Sequence, residues 1–348
     1  MEEYLKNLLT HFAPYILSEN EKKTTKNNFI IQKLTRKKFR KQKIYPNELE
    51  KIINNVNACI NENKPIQIVI AFGGYKHFWN SSYPQPDWAE LFTLKFLTDW
   101  LSPIVTIHKS GAVIEFVSED VILTKMDNYP EKDLDEYSKY FTLLLKIYNK
   151  YVPNNLRFRY FRIGEKYEKD KIIKAVENLL PEGWKRWNKL SKSEKETELK
   201  RSNRSMMWKG QEDLTKLGPK QKEKRITESR IIELAYYKTE VLPEFLGNYY
   251  DDENRIPICF SYGLSQDNSD HWLTLGSTYA SVVDYWIGRG ILGTKNNEFI
   301  NRIISKNQYE KIKEYLRTYK IKSDLLPLKN FQSIDVIDER DWEKEIVK

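Results

Sequence analysis

The segment PIQIVIAFGG, residues 65–74, decides the fold class. Ile66 to Phe72 is a nearly continuous apolar run, which is typical of a strand that is buried on both faces of a parallel sheet. The run ends in Gly73 and Gly74, where the backbone can turn sharply. Ligands of open α/β sheets bind outside the carboxyl ends of the strands. This loop, with Lys76 beside it, is therefore a candidate wall of a site.

Further along the chain, apolar runs alternate with helical patterns. Asp87 and Glu90 form a capping-box pattern that opens a helix in PQPDWAELFTLKFLTDWL, residues 84–101. Other apolar runs predict strands in IVTIH (104–108), AVIEFV (112–117), LRFRYF (156–161) and IPICFSYG (256–263). Strands that alternate with helices predict a Rossmann-like α/β fold, with a mostly parallel sheet flanked by helices.

Three regions are predicted from these patterns. Residues 1–45 form a basic N-terminal helix and arm, because a short amphipathic pattern is followed by polar and cationic stretches. Residues 46–300 hold the alternating strands and helices and are predicted to be a single catalytic domain. Residues 301–348 are predicted to be a C-terminal helix and tail.

The charge of the chain indicates a polyanionic partner. The 348 residues include 58 Lys and Arg against 49 Asp and Glu, a formal net charge of +9. The block KLTRKKFRKQK, residues 33–43, is dense in cations, and such blocks are solvated arms or nucleic-acid contacts. A generally lysine-rich composition explains the charge equally well. The candidate RNA contacts are Lys37, Lys38, Arg40, Lys185 and Arg186.

The cysteines and histidines do not suggest a metal or cofactor. Cys59 and Cys259 lie in no paired spacing, so neither a disulfide framework nor a zinc site is expected. The histidines lack the spacing of a helical metal pair, although His271 lies in a polar loop that could reach a site. The chain opens without the apolar core of a signal peptide, and no apolar run is long enough to span a membrane. A cytoplasmic location is expected.

The stretch YYKTEVLPEFLGNYY, residues 236–250, carries a candidate acid–base pair. Tyr236 and Glu240 are four residues apart and share one face of a helix. A carboxylate beside a phenol can move a proton, and burial would raise the pKa of the glutamate toward neutrality. Pro243 predicts a kink or a helix end. The alternative is an ordinary core helix, which the spacing alone favours.

The chain resembles the isocyanide synthases of pyoverdine and dityrosine biosynthesis. The resemblance rests on the order of the segments PIQIVIAF, PDWAELFTLKFL, SGAVIEFVSED, RSNRSMMWKGQEDL and TESRIIELAYY, the last leading to IPICFSYG. It implies a Rossmann-like enzyme that condenses an amino-acid amine with ribulose 5-phosphate. The chain departs from that family in three places. GGYKHFW replaces a loop containing Lys-Ser, Ser118-Glu119-Asp120 replaces Ser-Asp-Gly, and Ser261-Tyr262-Gly263 replaces Ser-Ile-His.

The chain also resembles the tRNA-dependent cyclodipeptide synthases, possibly their arginine-containing branch. The matching residues are Tyr236, Glu240, Pro243, Phe245 and Tyr262, with one residue more between the glutamate and the proline than in that family. The resemblance implies that Glu240 binds the α-amine and acts as base, while the two tyrosines orient it or relay protons. Gly73, Gly74, Lys76, Asp120 and His271 would then line the substrate site.

The sequence analysis favours a cyclodipeptide synthase that joins aminoacyl groups from aminoacyl-tRNA. The ester of aminoacyl-tRNA is already activated, so the enzyme needs little beyond positioning and a proton shuttle. The net charge of +9 also suits a tRNA partner. An isocyanide synthase is the first alternative, and a non-catalytic RNA-binding protein is the second.

Overall fold

A computed structural model describes residues 1–40, 43–199, 217–239, 255–260, 273–276, 288–322, 324 and 326–347. Its larger sheet has five strands in the order β3-β2-β1-β4-β5, and every neighbouring pair is parallel. The strands are β1 Ile66–Phe72, β2 Ala112–Ser118, β3 Leu156–Arg162, β4 Arg255–Cys259 and β5 Leu273–Thr274. The predicted α/β fold with a mostly parallel, helix-flanked sheet is confirmed.

Helices cover both faces of this sheet. The main helices are α1 Glu2–Thr10, α2 Glu19–Lys22, α3 Lys26–Leu34, α4 Pro46–Asn61, α5 Trp88–Ile107, α6 Asp120–Asp127, α7 Glu131–Tyr148, α8 Ile163–Lys166, α9 Lys169–Lys189, α10 Pro219–Thr239, α11 Lys306–Ile312 and α12 Glu339–Trp342. Ile68, Ile70 and Phe72 belong to the large core beneath α5 and α7, whereas Val69 packs on the other face with residues of α6, α9 and α10. Burial on both faces explains why β1 is apolar at nearly every position.

The predicted strand over residues 104–108 is wrong. Residues 104–107 are the last turn of α5, which continues through Pro103. Most side chains of α5 are buried, and only a narrow stripe of Lys95, Asp99, Ser102 and Thr106 lies outside the core. Pro103 interrupts this pattern, so the apolar residues after it resemble a separate segment. A short apolar run in such a helix cannot be told from a buried strand by periodicity alone.

The N-terminal segment packs on α5. Phe29, Ile30 and Leu34 of α3 are buried, and the indole Nε1 of Trp100 donates a hydrogen bond to the carbonyl of Leu34 at 3.2 Å. Lys33 is turned inward, where it is paired with Glu21. The cationic block, residues 33–43, is therefore not wholly available to a partner, because the side chain of Lys33 is buried in the fold.

The C-terminal region contains the predicted helix, α11, but residues 301–348 also contribute strands to a second sheet, so this region is more than a helix and a tail. The sheet has the strand order β7-β6-β9-β8, and its strands are β6 Arg289–Lys295, β7 Glu298–Ile304, β8 Arg317–Lys320 and β9 Ser333–Asp338. Asn296 and Asn297 both have positive φ and form the tight turn of the β6–β7 hairpin. Ser305 ends the strand and caps α11. The pattern of FINRIISKNQYEKIKEYLRTYK, residues 299–320, predicts a single surface helix where the chain forms these two elements.

The described residues also give information on the cysteines, on membrane insertion and on metal binding. Cys59 and Cys259 are buried thiols that are not joined in a disulfide. Among the helices described, none has both the length and the apolar character that a membrane span requires. In those same ranges, no three His, Cys, Asp or Glu side chains are grouped so that they could hold a metal ion.

Candidate active site

The candidate site lies where three adjacent strands end. Phe72, the last residue of β1, pairs with Ser118 of β2, and Ser118 pairs with Arg162 of β3. The loop that starts with Gly73 therefore lies beside the start of α6 at the carboxyl edge of the sheet. This is the edge at which parallel α/β sheets bind ligands.

Gly74 makes the closest approach in this loop. Its φ of +68° lies in the left-handed region that side chains disfavour. A Cβ at this position would clash with the Oγ of Ser118 and would lie 3.3 Å from the hydroxyl of Tyr160. Burial raises the pKa of Tyr160 to about 12, so its phenol keeps its proton at neutral pH. Glycine is required here because it brings the loop onto these two hydroxyl groups.

Asp120, a predicted substrate-binding residue, is held by the protein itself. The Nε of Arg162 donates to its Oδ2 at 2.7 Å, and the backbone N–H of Gly164 donates to its Oδ1 at 3.2 Å. Arg162 also pairs with Asp135. Both carboxylate oxygens of Asp120 thus have protein donors, which orient the end of β3 against the start of α6.

Lys76 lies at the centre of a buried ionic network. Its side chain is 0% exposed, and its Nζ lies 3.0 Å from Oδ1 of Asp87 and 3.0 Å from Oε2 of Glu90. The hydroxyl of Tyr137 donates to Oε1 of Glu90 at 3.0 Å, and the hydroxyl of Tyr129 donates to the carbonyl of Lys76 at 2.6 Å. The network joins the loop after β1 to the first turn of α5.

Asp87 and Glu90 are predicted from the sequence only as a capping box, not as site residues. They do form that capping box: the backbone N–H of Ala89 donates to Asp87 at 2.7 Å, and that of Asp87 donates to Glu90 at 2.8 Å. The signal that could have revealed their second role is a glutamate inside the otherwise apolar start of a buried helix. Such a carboxylate needs a cation or donors, because isolated buried charge is strongly unfavourable.

The carboxyl group of Glu90 can exchange a proton near neutral pH. Burial raises its pKa to about 7, Lys76 opposes that increase, and the neighbouring charge of Asp87 adds to it. A group with a pKa near the working pH is suited to general acid–base catalysis. A perturbed carboxyl group at the carboxyl edge of a parallel sheet is also the kind of feature that marks functional sites.

Replacing Glu90 by glutamine will change how stability depends on pH. The folded-state pKa of about 7 lies above the ordinary value of 4.5, so the unfolded chain loses this proton first as pH rises. The stabilisation is complete below pH 4.5 and is lost as pH rises through 7. We expect the free energy of unfolding of the wild type to fall by roughly 2–3 kcal/mol relative to E90Q over this range. Urea unfolding at pH 4.5, 6, 7 and 8 measures it, and a constant difference would contradict the assignment.

The other predicted site residues are only partly described. Glu240, Tyr262 and His271 lie outside the described residues, as does the side chain of Tyr236 on α10. Gly73, Gly74 and Lys76 lie together after β1, at the same sheet edge as Asp120. Among the predicted RNA contacts, Lys37, Lys38 and Lys185 are exposed, whereas Arg40 and Arg186 are half-buried.

Comparison with solved structures supports the fold. The chain is similar to the PvcA protein from Pseudomonas aeruginosa, with a TM-score of 0.61 and 13% sequence identity, over 90% of this chain and 100% of that chain. No known protein family matches the sequence, and no curated protein matches it. At this identity the likeness shows the fold alone. It supports the scaffold resemblance and gives no support to the cyclodipeptide synthase prediction, which stays a prediction.

Proposed function

We propose that this protein is an enzyme of the isocyanide-synthase type, which condenses the amine of an amino acid with ribulose 5-phosphate. The observation that carries the proposal is the Lys76 network. It joins the loop after the first strand to the PDWAE segment, residues 86–90. The strand before the loop, PIQIVIAF, and the PDWAE segment resemble that family, whereas the loop itself departs from it. The similarity to PvcA over nearly the whole chain supports the same scaffold.

The proposed condensation requires a group that gives and takes protons. The amine nitrogen adds to the ketone carbon, and a C=N bond then forms as the former carbonyl oxygen leaves as water. The nitrogen loses its protons in this sequence, and the departing oxygen gains them. Glu90, with a pKa raised to about 7 by burial, suits both transfers. The protonated hydroxyl of Tyr160 is a further donor at this sheet edge.

Incubating the purified protein with ribulose 5-phosphate and each amino acid in turn tests the proposal. We expect one amino acid to give a condensation product whose mass is the sum of the amino acid and the sugar phosphate less one water, as seen by mass spectrometry. The sugar phosphate should be consumed, and ribonuclease should have no effect. E90Q should lower the rate by 10²-fold or more, in line with the usual contribution of an acid–base group. The control Gly218→Ala should keep the rate, because no atom lies within 4 Å of a Cβ there. No consumption of ribulose 5-phosphate with any amino acid would refute the proposal.

A tRNA-dependent cyclodipeptide synthase is the second candidate. The observation that favours it is the exposure of Lys37, Lys38 and Lys185, which leaves their charges available to phosphates. In this reading Glu240 receives the α-amine of an aminoacyl-tRNA. Incubation with charged tRNAs should then give a diketopiperazine that is abolished by ribonuclease, and no such product with any charged tRNA would exclude it. Salt-sensitive RNA binding without any product would instead indicate a non-catalytic RNA-binding protein.

A further inference from the structure

Asn330, in the C-terminal region that was predicted to be a tail, contacts the segment that leads into α5. It lies in the short helical turn Lys329–Phe331, just before β9. Its side-chain nitrogen Nδ2 lies 2.8 Å from the carbonyl oxygen of Ser82, 3.2 Å from that of Pro86 and 3.4 Å from that of Gln85. One amide group thus donates to three backbone carbonyls of a single turn.

This turn is directly connected to the Lys76 network. The Oγ of Ser82 donates to Oδ2 of Asp87 at 2.8 Å, and Oδ1 of Asp87 lies 3.0 Å from the Nζ of Lys76. Within the segment from Ser82 to Asp87, the hydroxyl group of Ser82 thus holds the carboxylate of Asp87 in place. A displacement of this segment would therefore move one of the two carboxylates that neutralise Lys76.

Neighbouring contacts show that the second sheet is packed tightly on the same part of the chain. The indole Nε1 of Trp88 donates to the carbonyl of Ser333 at 2.7 Å, and its ring meets that of Phe331 with the centroids 5.0 Å apart. A Cβ on Gly290 of β6 would lie only 2.5 Å from the carbonyl carbon of Trp88. The start of α5 and the second sheet are thus in backbone contact, and Asn330 adds its hydrogen bonds to that of Trp88 at this contact.

We propose that Asn330 is a positioning residue for the site. Its amide holds the Ser82–Asp87 segment so that Asp87 stays on Lys76, and the second sheet thereby controls the geometry at the carboxyl edge of the first. Its effect on turnover rests on the proposed function. Its effect on Lys76 does not, because the protection of that amine can be measured without any substrate.

The variant Asn330→Asp tests this directly. Aspartate has the same size as asparagine, but a carboxylate oxygen replaces the NH2 donor. This oxygen repels the three backbone carbonyl oxygens. We expect Lys76 to react with an acetylating reagent at least ten times faster than in the wild type, as measured by mass spectrometry of its peptide. Lys64 and Lys313, whose side chains are 52% and 48% exposed, supply the internal standard for labelling. Asn330→Ala removes the NH2 donor without introducing the repulsion and should give a smaller increase in the rate of Lys76 labelling. This second variant tests the proposal if the aspartate variant does not fold.

Asn155→Asp is the matched control. The Nδ2 of Asn155 also donates to backbone carbonyls, those of Val105 at 2.8 Å and His108 at 3.1 Å, but it does so at the amino edge of the same sheet. We expect a comparable loss of stability in urea with no increase in Lys76 labelling. If Lys76 stays protected in both Asn330 variants, or becomes labelled equally in Asn155→Asp, the positioning role is wrong.

The labelling result also separates the two proposals. Faster labelling of Lys76 in Asn330→Asp supports the positioning role whether or not the wild type consumes ribulose 5-phosphate. If the wild type is active, the Asn330 variants should lower kcat more than they raise KM for the sugar phosphate, and Asn155→Asp should leave this ratio unchanged.

Discussion

Replacing Lys76 by methionine will lower the free energy of unfolding by about 3–5 kcal/mol at pH 8, the range seen when one partner of a buried ion pair is removed. The cause is the pair of carboxylates on Asp87 and Glu90, which are buried and lose their only described cation. Urea denaturation followed by circular dichroism measures the change. The loss should be smaller at pH 5, because Glu90, with its pKa raised to about 7 by burial, is then protonated.

Lys125→Met provides the control for this prediction. Lys125 is paired with Glu177 at 2.9 Å, but the two side chains are 41% and 48% exposed. Exposed pairs contribute about 0–1 kcal/mol, so the change in unfolding free energy should stay within that range. If the Lys76 and Lys125 variants lose equal stability, water reaches the Lys76 network and the acid–base role of Glu90 loses its basis.

Replacing Gly74 by alanine will destabilise the protein by about 2–5 kcal/mol and abolish the activity that is proposed above. A non-glycine residue in the left-handed region costs about 1–2 kcal/mol, and overpacking costs about 1–3 kcal/mol more. The overpacking arises because the new Cβ would lie 2.8 Å from the Cβ of Ser118 and closer still to its Oγ. Thermal and urea unfolding give the stability, and the ribulose 5-phosphate assay gives the activity.

Gly218→Ala is the matched glycine control. Its backbone is not in the left-handed region, and the space around its Cα is open. Alanine there should change stability by less than about 1 kcal/mol, and any effect should be stabilising because the unfolded chain becomes less flexible. Equal destabilisation of the two variants would mean that the approach of Gly74 to Ser118 is not as close as described.

Much of the large sheet was predictable because its signals are local. The apolar run Ile66–Phe72 and the capping residues Asp87 and Glu90 each lie within a few neighbouring positions, and their strand and helix formed as expected. The predictions failed where local signals were ambiguous. Pro103 interrupts the largely apolar pattern of α5. Residues 299–320, whose pattern predicts one helix, belong to β7, α11 and β8.

The candidate site was predictable only as a location. The glycine pair after β1 indicates the carboxyl edge of the sheet, where the Lys76 network lies, and Lys76 is among its candidate residues. Nothing in the spacing revealed that Lys76 would be buried against Glu90, fourteen positions away, rather than exposed to solvent. The contact between Lys76 and Glu90 depends on how α5 packs against the edge of the sheet. The spacing of residues in the sequence does not reveal this packing.

The sequence by itself determined that a parallel sheet would form and which loops would lie at its carboxyl edge, because strand burial and turn chemistry are read from adjacent residues. Only the tertiary structure decided which side chains meet at that edge. Lys76 finds its carboxylates across a loop, and Asn330 reaches Ser82 across 248 positions of the chain. Such contacts follow from how whole elements pack, since the free energy of burying a charge or a polar group is settled only when all its neighbours are in place.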